Sequence, residues 1–288
     1  MKNFQYLIIA LLLLTAACQS EKETPSGLKY TVVKTGTGKT AETNQILVFD
    51  YQMKDSKDSV WADTFKDGVS AASMIADTSK LKTEDGMTQM FRELSKGDSV
   101  KTTMTVSHFF TKLVNAPVPP GVDSTRSITY YIKVHDIIPT LGEYYKYRDK
   151  QVAGRDDKAI EKYLADNKIT AQSDTSGLRY IMHTNLGGEK PVATSCVEIS
   201  YRGKFMKNGR VFDQNEKISY PLAQFIQGWK IGITKLGKGD SASLFVPSRI
   251  AYGAQGYPGA IPPDAILIFD VKLLDFKNEY DEHTKTCK

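Results

Sequence analysis

The residue types that could do chemistry lie in five blocks of the C-terminal half of this 288-residue chain, each rich in aromatic residues or glycine. In chain order the blocks are Tyr201-Arg202-Gly203, Gly209–Asp213, Phe225–Trp229, Ala251–Pro263 and Ile268–Val271. Their polar members include the hydroxyl of Tyr252 and the carboxylate of Asp213. Taken one at a time, such aromatic residues are typical of a protein core, and Asp213 of a turn or a helix cap. The set as a whole offers apolar surface with a few polar groups.

Taken in this order, the five blocks resemble the FK506-binding (FKBP) type of domain from about Gly177 to Phe276. A single Tyr-Gly or Phe-Asp pair would indicate nothing, but five ordered blocks are specific. The resemblance implies a peptidyl-prolyl cis–trans isomerase that uses no cofactor. The residues it assigns to catalysis are Tyr252, Asp213, Tyr201, Phe269 and Trp229. Those it assigns to substrate binding are Phe212, Ile218, Phe225, Ile226, Tyr257 and Ile261.

The resemblance also implies a role for the main residues of the site. By resemblance, Trp229 forms the floor of the pocket, and Tyr252 donates its hydroxyl to a substrate carbonyl. The backbone amide of Ile226 holds a second carbonyl. Asp213 lies beside the pocket, where it orients Tyr201 or polarises the substrate.

Two positions depart from the best-known members of the family. The resemblance makes residues 257–261 a flap over the site, but Ala260 is smaller than the usual aliphatic residue at its tip. Ile218 stands where an aromatic residue is common. These departures bear on substrate preference and on affinity for macrolides of the FK506 type, and not on the reaction.

The chemistry of prolyl isomerisation suits these residue types. Rotation about an Xaa-Pro bond has a barrier of about 18–20 kcal/mol because amide resonance is lost when the bond twists. No covalent bond breaks, so neither a nucleophile nor a metal is required. A dry apolar pocket favours the twisted amide, which has less charge separation, and a few fixed polar groups can favour it further. A thousandfold acceleration needs only about 4 kcal/mol.

The chain also contains an internal repeat, which has to be considered before its domains are assigned. Ser26-Gly27-Leu28-Lys29-Tyr30 recurs 150 positions later as Ser176-Gly177-Leu178-Arg179-Tyr180. At the same offset the pairs Gly38/Gly188, Tyr51/Tyr201 and Asp63/Asp213 match, and at an offset of 142 Lys96–Ser99 matches Lys238–Ser241. The repeat predicts two copies of one fold.

Within each copy the residue pattern is mostly that of β-strands. Val197–Tyr201 alternates, Ser243–Pro247 follows a Gly-Asp turn, and Ala265–Phe276 is long and β-rich. A short helix is predicted over Pro221–Ile233 from the helical spacing of its apolar residues. The predicted class is α+β, with two FKBP-like domains that each wrap an antiparallel sheet around one short helix.

The segment 143–167 between the copies has a helical pattern. Asp156 or Asp157 can cap this helix, and its apolar face is expected to pack on a domain. That face carries Ile160, Tyr163 and Leu164. The predicted organisation is a signal peptide (1–17), a lipidated tether (18–26), a degenerate FKBP-like domain (27–140), a helical connector (141–172), a catalytic domain (173–278) and a polar tail (279–288).

The first copy keeps its framework but loses most of the implied pocket. Tyr51 and Asp63 are retained. The replaced residues are Phe212 by Ala62, Trp229 by Met87, Tyr252-Gly253 by Phe110-Thr111, and the flap Gly253–Pro263 by Thr111–Pro120. We therefore predict that the first domain is isomerase-like and inactive. The alternative is a realigned flap in which Tyr130 or Tyr131 supplies the hydroxyl.

The N-terminus has the pattern of a bacterial signal peptide. Lys2 precedes the apolar run Leu7–Leu14, and the small residues 15–17 precede Cys18. This resembles a lipobox, although Thr15 stands where leucine is usual, and it predicts lipidation of Cys18. Ordinary secretion with cleavage near Ala17 is the alternative. The predicted location is the cell envelope, with a lipid anchor, favouring the outer membrane and facing the periplasm or the surface.

The other cysteines and the histidines predict neither a disulfide framework nor a metal site. Cys196 lies in a strand-like run and Cys287 in a polar tail, so a buried thiol and a thiol in a frayed tail are favoured over a bond between them. The four histidines are scattered, and no His/Cys cluster has the spacing of metal ligands.

The bulk composition is that of a globular protein whose partners are not nucleic acids. Hydrophobic residues make up 41% of the chain and charged residues 25%, and the net charge of +5 is spread without a long basic run. The partners expected instead are proline-containing unfolded or folding polypeptides, FK506-type macrolides and, through the anchor, a membrane. The expected function is assisted folding of envelope or secreted proteins. A non-catalytic chaperone or binding module, or a scaffold of an envelope complex, is the alternative.

Overall fold

The computed structural model describes residues 20–81, 83–277, 279–281, 283–284 and 286–288. The predicted signal peptide and Cys18 lie outside the described residues. The chain divides into two compact units, an N-terminal unit that ends at Tyr144 and a C-terminal unit that begins at Tyr145. Each unit combines an antiparallel sheet with a few helices, which confirms the α+β class.

The N-terminal unit is built on a seven-stranded sheet. Its strands are β1 (Ser20–Glu23), β2 (Lys29–Lys34), β3 (Ile46–Asp55), β4 (Val60–Asp63), β5 (Ala71–Met74), β6 (Ser99–Thr105) and β7 (Ser127–Ile138). Its helices are α1 (Thr64–Asp67), α2 (Gly86–Arg92) and α3 (Val106–His108), with a 3-10 turn at Thr78–Lys80 and a π-helical segment at Phe109–Val114. The strand order is β1-β2-β6-β7-β3-β4, and β5 pairs with β3.

The C-terminal unit is built on a six-stranded sheet and receives most of the long helix α4 (Leu141–Asp166). Its strands are β8 (Gln172–Ser173), β9 (Arg179–Thr184), β10 (Cys196–Phe205), β11 (Val211–Pro221), β12 (Ser241–Val246) and β13 (Leu267–Lys277), followed by a separate hairpin of β14 (Tyr280–Asp281) and β15 (Thr286–Cys287). Helix α5 (Gln227–Ile233) follows a 3-10 turn at Leu222–Gln224, and two more such turns cover Ser248–Ile250 and Gly253–Gln255. Among the described helices, none is long and apolar enough to cross a membrane.

The two sheets have the same strand order. Taken from β8, the second sheet runs β8-β9-β12-β13-β10-β11, which corresponds strand for strand to β1-β2-β6-β7-β3-β4. The short helices α2 and α5 also follow the corresponding strands. This agreement is what two copies of one fold would produce.

The repeated Gly-Asp turn explains why the framework residues recur in both copies. Gly97 and Gly239 have φ angles of 92° and 86°, in the left-handed region that favours glycine. The carboxylates of the following Asp98 and Asp240 are buried, and each accepts two backbone N–H groups, at 2.5 and 2.7 Å for Asp98 and at 2.7 and 2.8 Å for Asp240. Each turn therefore needs both residue types: the glycine adopts the left-handed backbone conformation, and the aspartate of the turn that precedes β6 or β12 binds backbone N–H groups.

The predicted tether is part of the sheet from Ser20 onward. Strand β1 pairs with β2 from Ser20 opposite Val32 to Glu23 opposite Lys29. The prediction of a flexible tether over 18–26 is wrong for these residues. Their side chains are polar and exposed, so the sequence pattern did not predict a strand. The strand is joined to the sheet edge mainly by backbone hydrogen bonds, together with an exposed ion pair between Lys22 and Glu93.

The predicted helix over Pro221–Ile233 is shorter than expected. Pro221 ends β11, and Phe225 and Ile226 have extended backbones, with ψ angles of 166° and 153°, so α5 begins only at Gln227. The apolar residues that suggested one helix belong to three successive elements that face the same core.

Helix α4 begins well before the predicted cap. Thr140 precedes its first residue, and the Thr140 hydroxyl accepts the N–H of Glu143 at 3.2 Å. Asp156 therefore lies in the helix interior, fully buried, and the prediction that it or Asp157 caps the helix is wrong. The expected packing of the apolar face on a domain is confirmed by a buried cluster of Ile160, Leu164, Phe245 and Ile268.

Cys196 and Cys287 form a disulfide bond, so the expectation of two free thiols is wrong. The bond joins the start of β10 to β15 and holds the C-terminal hairpin against the sheet. Tyr280 of this hairpin stacks on Tyr220 of β11, with ring centroids 6.2 Å apart. Because the two cysteines are 91 positions apart, only the fold brings them together.

Candidate active site

A cavity of about 220 Å³ lies between α5, strands β10, β11 and β13, and the loop that follows β12. It is lined by Tyr201, Phe212, Asp213, Ile218, Gln224, Phe225, Ile226, Trp229, Tyr252 and Phe269. All of these except Gln224 are residues that the sequence assigned to the site. The structure therefore brings the five sequence blocks together around one small, largely aromatic space.

Trp229 of α5 has aromatic neighbours on several sides of the cavity. Its ring centroid is 4.8 Å from that of Phe225, 5.0 Å from Tyr201 and 5.1 Å from Phe269. The side chain is 4% exposed, and its indole N–H has no hydrogen-bond partner among the described residues. Such packing fixes the ring as a rigid surface of the cavity.

The wall formed by Phe212 and Phe269 depends on a glycine. Phe212 and Phe269 meet edge to face with centroids 5.7 Å apart, and Gly203 of β10 lies directly against both rings. A Cβ atom on Gly203 would be 2.7 Å from Cζ of Phe212 and 2.9 Å from Cε1 of Phe269. Gly203 lies in the first of the five sequence blocks, but its residue type alone predicted no role for it. Its alignment with Met53 at the 150-residue offset was the available signal.

Tyr201 and Asp213 form a polar pair at the cavity. The Tyr201 hydroxyl donates to Oδ2 of Asp213 at 2.6 Å. Burial raises the pKa of Tyr201, and the bonded carboxylate raises it further. The hydroxyl therefore stays protonated, and the carboxylate is held in one position.

The hydroxyl of Tyr252 and the backbone N–H of Ile226, the residue before α5, have no acceptor in the part of the chain that the structure describes. In this they resemble the buried indole N–H of Trp229. Burial raises the pKa of Tyr252, and the nearby Asp213 carboxylate adds to the effect, so this hydroxyl also keeps its proton. The arrangement can hold an apolar group against the aromatic rings while these donors bind carbonyl oxygens.

The predicted flap residues do not line the cavity. Residues 257–261 form a tight turn in which the N–H of Tyr257 donates to the carbonyl of Ile261 at 2.8 Å. Tyr257 is 58% exposed, with its ring 6.0 Å from that of Tyr252, whereas Ile261 is buried in the core. A site role for these two residues stays a prediction.

The corresponding place in the N-terminal unit has different side chains. Gly203 is opposite Phe269 on β13, and in the first sheet Met53 is opposite Tyr130 on β7. Met53 is buried and pairs with Ala62, the residue aligned with Phe212. A methionine thus occupies the position that glycine keeps open in the C-terminal unit.

The polar pair is also rearranged in the N-terminal unit. Asp63 accepts the side-chain amide of Gln52 at 2.7 Å and caps α1 through the N–H of Lys66. Its counterpart Asp213 instead accepts the hydroxyl of Tyr201. The retained aspartate therefore has a local structural partner in the first copy.

The described residues contain no group of three or more His, Cys, Asp or Glu side chains arranged to hold a metal ion. The fold and the cavity define an α+β domain with a small aromatic pocket, in which no described residue accepts the hydroxyl of Tyr252 or the N–H of Ile226.

Proteins of known family match this part of the chain. The family model for FKBP-type peptidyl-prolyl cis-trans isomerase matches residues 187–274. The chain is 37% identical over 140 residues to the FKBP-type peptidyl-prolyl cis-trans isomerase FkpA of Aeromonas hydrophila, covering 46% of this chain and 52% of that protein. It is 36% identical over 117 residues to FK506-binding protein 2 of Candida glabrata, covering 37% of this chain and 86% of that protein. The crystal structure of FkpA from Escherichia coli is 34% identical and covers 45% of this chain and 62% of that chain, with a TM-score of 0.39.

The chain belongs to the family of FKBP-type peptidyl-prolyl cis-trans isomerases. It spans about half the length of the Aeromonas relative. The matched region contains every residue that lines the cavity.

Proposed function

We propose that the C-terminal unit catalyses cis–trans isomerisation of Xaa-Pro peptide bonds in unfolded or folding polypeptides. The observation that carries this proposal is the cavity of about 220 Å³, whose aromatic lining includes hydrogen-bond donors that no described residue accepts. A space of this size suits a proline ring. Family membership supports the same reaction.

In this proposal the pocket accelerates rotation without covalent chemistry. The proline ring packs against Trp229, Phe212 and Phe269, which exclude water from the amide. The twisted amide has less charge separation than the planar one, so a dry site favours it. The hydroxyl of Tyr252 and the N–H of Ile226 bind carbonyl oxygens and hold the chain on either side of the rotating bond.

Asp213 acts through Tyr201 in this mechanism. The short hydrogen bond between them fixes the Tyr201 ring, which packs edge to face on Trp229 at 5.0 Å. Each tenfold increase in rate requires about 1.4 kcal/mol, so a thousandfold acceleration needs about 4 kcal/mol. Pocket shape and two hydrogen bonds are sufficient for that amount.

The test is catalysis of proline-limited refolding by the full chain and by its variants. Tyr252→Phe should lower kcat/KM by about tenfold or less, because one hydrogen bond contributes about 1 kcal/mol. Phe269→Ala should lower it further, because it removes a wall of the pocket. Tyr180→Phe is the matched control, since that hydroxyl bonds Gln172 at an exposed site outside the cavity. Unchanged activity in both folded pocket variants would contradict the assignment.

The same assay separates an isomerase from the alternatives. A catalyst accelerates refolding at concentrations far below that of its substrate, whereas a chaperone that only holds chains, or a scaffold, does not. Macrolides of the FK506 type should compete with peptide if the pocket is the site. Ile218 lines the cavity where an aromatic residue is common in the family, and this departure bears on substrate preference.

We propose further that the N-terminal unit is a degenerate domain of the same type without isomerase activity. Met53 fills the position of Gly203, and Asp63 bonds Gln52 and caps α1. The alternative hydroxyl donor Tyr130 is 7% exposed. In the full chain, a double variant that combines Tyr252→Phe with Phe269→Ala disables the C-terminal pocket. The N-terminal unit should then contribute no isomerase activity of its own.

A lipid anchor on Cys18 and a location in the cell envelope belong to the same proposal. The support is the apolar run before Cys18 in the sequence. Because β1 starts at Ser20, only one residue separates it from the acylated cysteine, so the N-terminal unit would lie at the membrane surface. The native protein should partition with membranes, and Cys18→Ala should release it or leave it uncleaved. A wholly aqueous native protein would refute the anchor.

A further inference from the structure

We propose that helix α4 positions the Tyr252 hydroxyl through a polar clamp that holds both ends of the loop carrying it. The clamp consists of Arg148, Arg155 and Asp156 on α4 with Ser248 and Asp264 on the loop between β12 and β13. Helix α4 lies outside the region matched by the family model, residues 187–274, so the family match assigns it no part in the site. The inference deepens the proposed isomerase function and rests on it.

The first end of the loop is held by Asp156. Its Oδ2 accepts the backbone N–H of Ser248 at 2.8 Å and the Ser248 hydroxyl at 2.6 Å, and both residues are fully buried. The carbonyl of Ser248 in turn accepts the N–H of Ala251 at 3.0 Å. Tyr252 follows immediately, so the turn that presents it is attached to the helix.

The second end is held at Asp264. Arg148 forms an ion pair with its carboxylate, and Nη2 of Arg155 donates to its backbone carbonyl at 2.9 Å. The N–H of Asp264 donates to the carbonyl of Gly253 at 2.9 Å. Gly253 is the residue after Tyr252, so the second end also reaches the hydroxyl-bearing residue through one hydrogen bond.

The two ends are connected on the helix itself. Nε of Arg155 donates to Oδ1 of Asp156 at 2.9 Å, which compensates the buried carboxylate. Arg148 and Arg155 are seven residues apart and therefore lie on one face of α4. Asp264 has a φ angle of 53°, a left-handed conformation that is uncommon for a residue other than glycine and that the surrounding bonds hold.

The clamp and the rest of the pocket are built from different elements. The floor and walls come from α5 and the residues just before it and from β10, β11 and β13, whereas Tyr252 comes from the clamped loop. A hydrogen-bonding group acts efficiently only when it is held close to its productive position. Loss of the clamp should therefore impair the contribution of Tyr252 while the aromatic cavity remains.

The activity test is a double-mutant cycle in the full chain. Arg148→Ala should lower kcat/KM roughly threefold to tenfold, and Arg148→Lys should recover part of the loss. In a Tyr252→Phe background, Arg148→Ala should cost less than about twofold, because the group it positions is gone. Lys162→Ala is the control, since it removes an exposed ion pair with Asp166 on the same helix. Equal losses in both backgrounds would overturn the proposal.

Hydrogen exchange supplies a readout that does not depend on activity. In Arg148→Ala, amides of residues 249–264 should exchange faster, while those of β12 and β13 keep their wild-type rates. Unchanged exchange in the loop would overturn the clamp. A wild-type protein that does not isomerise peptides would instead refute the proposed function, and the exchange result would still decide whether α4 holds the loop.

Discussion

Replacing Gly203 with alanine tests the pocket wall with a single added methyl group. That methyl carbon would lie 2.7 Å from Phe212 and 2.9 Å from Phe269, well inside van der Waals contact. Phe212 packs against Phe205 at 5.0 Å and Phe269 against Trp229 at 5.1 Å, so a displaced ring would press on these neighbours or move into the cavity. The substitution should therefore narrow the space intended for the proline ring.

The expected size of the effect follows from the cost of overpacking. Adding a methyl group to a packed site costs about 1–3 kcal/mol. If the cost appears in transition-state binding, kcat/KM falls by about fivefold to 150-fold, since 1.4 kcal/mol corresponds to a factor of ten. Gly203→Met, which installs the residue that Met53 represents in the N-terminal unit, should reduce activity further.

The assay compares kcat/KM and thermal unfolding for Gly203→Ala and for Gly154→Ala. Gly154 is exposed on α4 with no heavy atom within 4 Å of an added Cβ, so this control should keep full activity. It should also gain about 0.5–1 kcal/mol of stability from helix propensity. A folded Gly203→Ala protein with wild-type kcat/KM would refute the inference that this glycine keeps the pocket open.

Three further predictions concern pH, the disulfide and the repeated turn. Because burial raises the pKa of Tyr201 and Tyr252 above the ordinary 10.0, both hydroxyls stay protonated at lower pH, and kcat/KM should be flat from about pH 6 to 9; a titration near neutrality would contradict this. Cys287→Ser should lower the free energy of unfolding by about 2–5 kcal/mol, as should reductant on the wild type, because the bond closes a loop of 91 residues; equal urea midpoints would contradict it. Asp240→Ala should destabilise the C-terminal unit by at least about 2 kcal/mol, whereas Asp98→Ala should destabilise the N-terminal unit and leave kcat/KM unchanged; loss of activity in the second variant would argue against independent units.

The sequence was sufficient to predict the fold class and most of the cavity lining. Tyr201, Phe212, Trp229, Tyr252 and Phe269 come from separate blocks, yet all line one cavity. This was predictable because each block is a local signal, and the family order of the blocks specifies how the elements are arranged. The repeat likewise indicated two similar folds, because glycines and aspartates at turns are required by local backbone geometry.

Features that depend on pairing between distant segments were not predictable in this way. The Cys196–Cys287 bond joins positions that are 91 residues apart. Strand β1 pairs with the nearby β2, but its residues are polar and exposed, so their pattern did not predict a strand. Asp156 is of a residue type that is common at helix N-caps, but its side chain is buried and accepts the hydroxyl of Ser248, 92 positions away.

The openness of the pocket is the clearest case of a property decided by tertiary structure. The sequence alone indicated which aromatic residues form the pocket of the C-terminal unit, and the 150-residue offset pairs Gly203 with Met53. Only the packed sheet brings Gly203, which has no side chain, against the rings of Phe212 and Phe269 in the C-terminal unit. In the N-terminal unit it brings the buried side chain of Met53 beside Ala62. The physical reason is that a cavity exists where side chains from distant strands fail to fill space. Whether they fill it depends on how these side chains pack in three dimensions, which no single segment of the sequence determines.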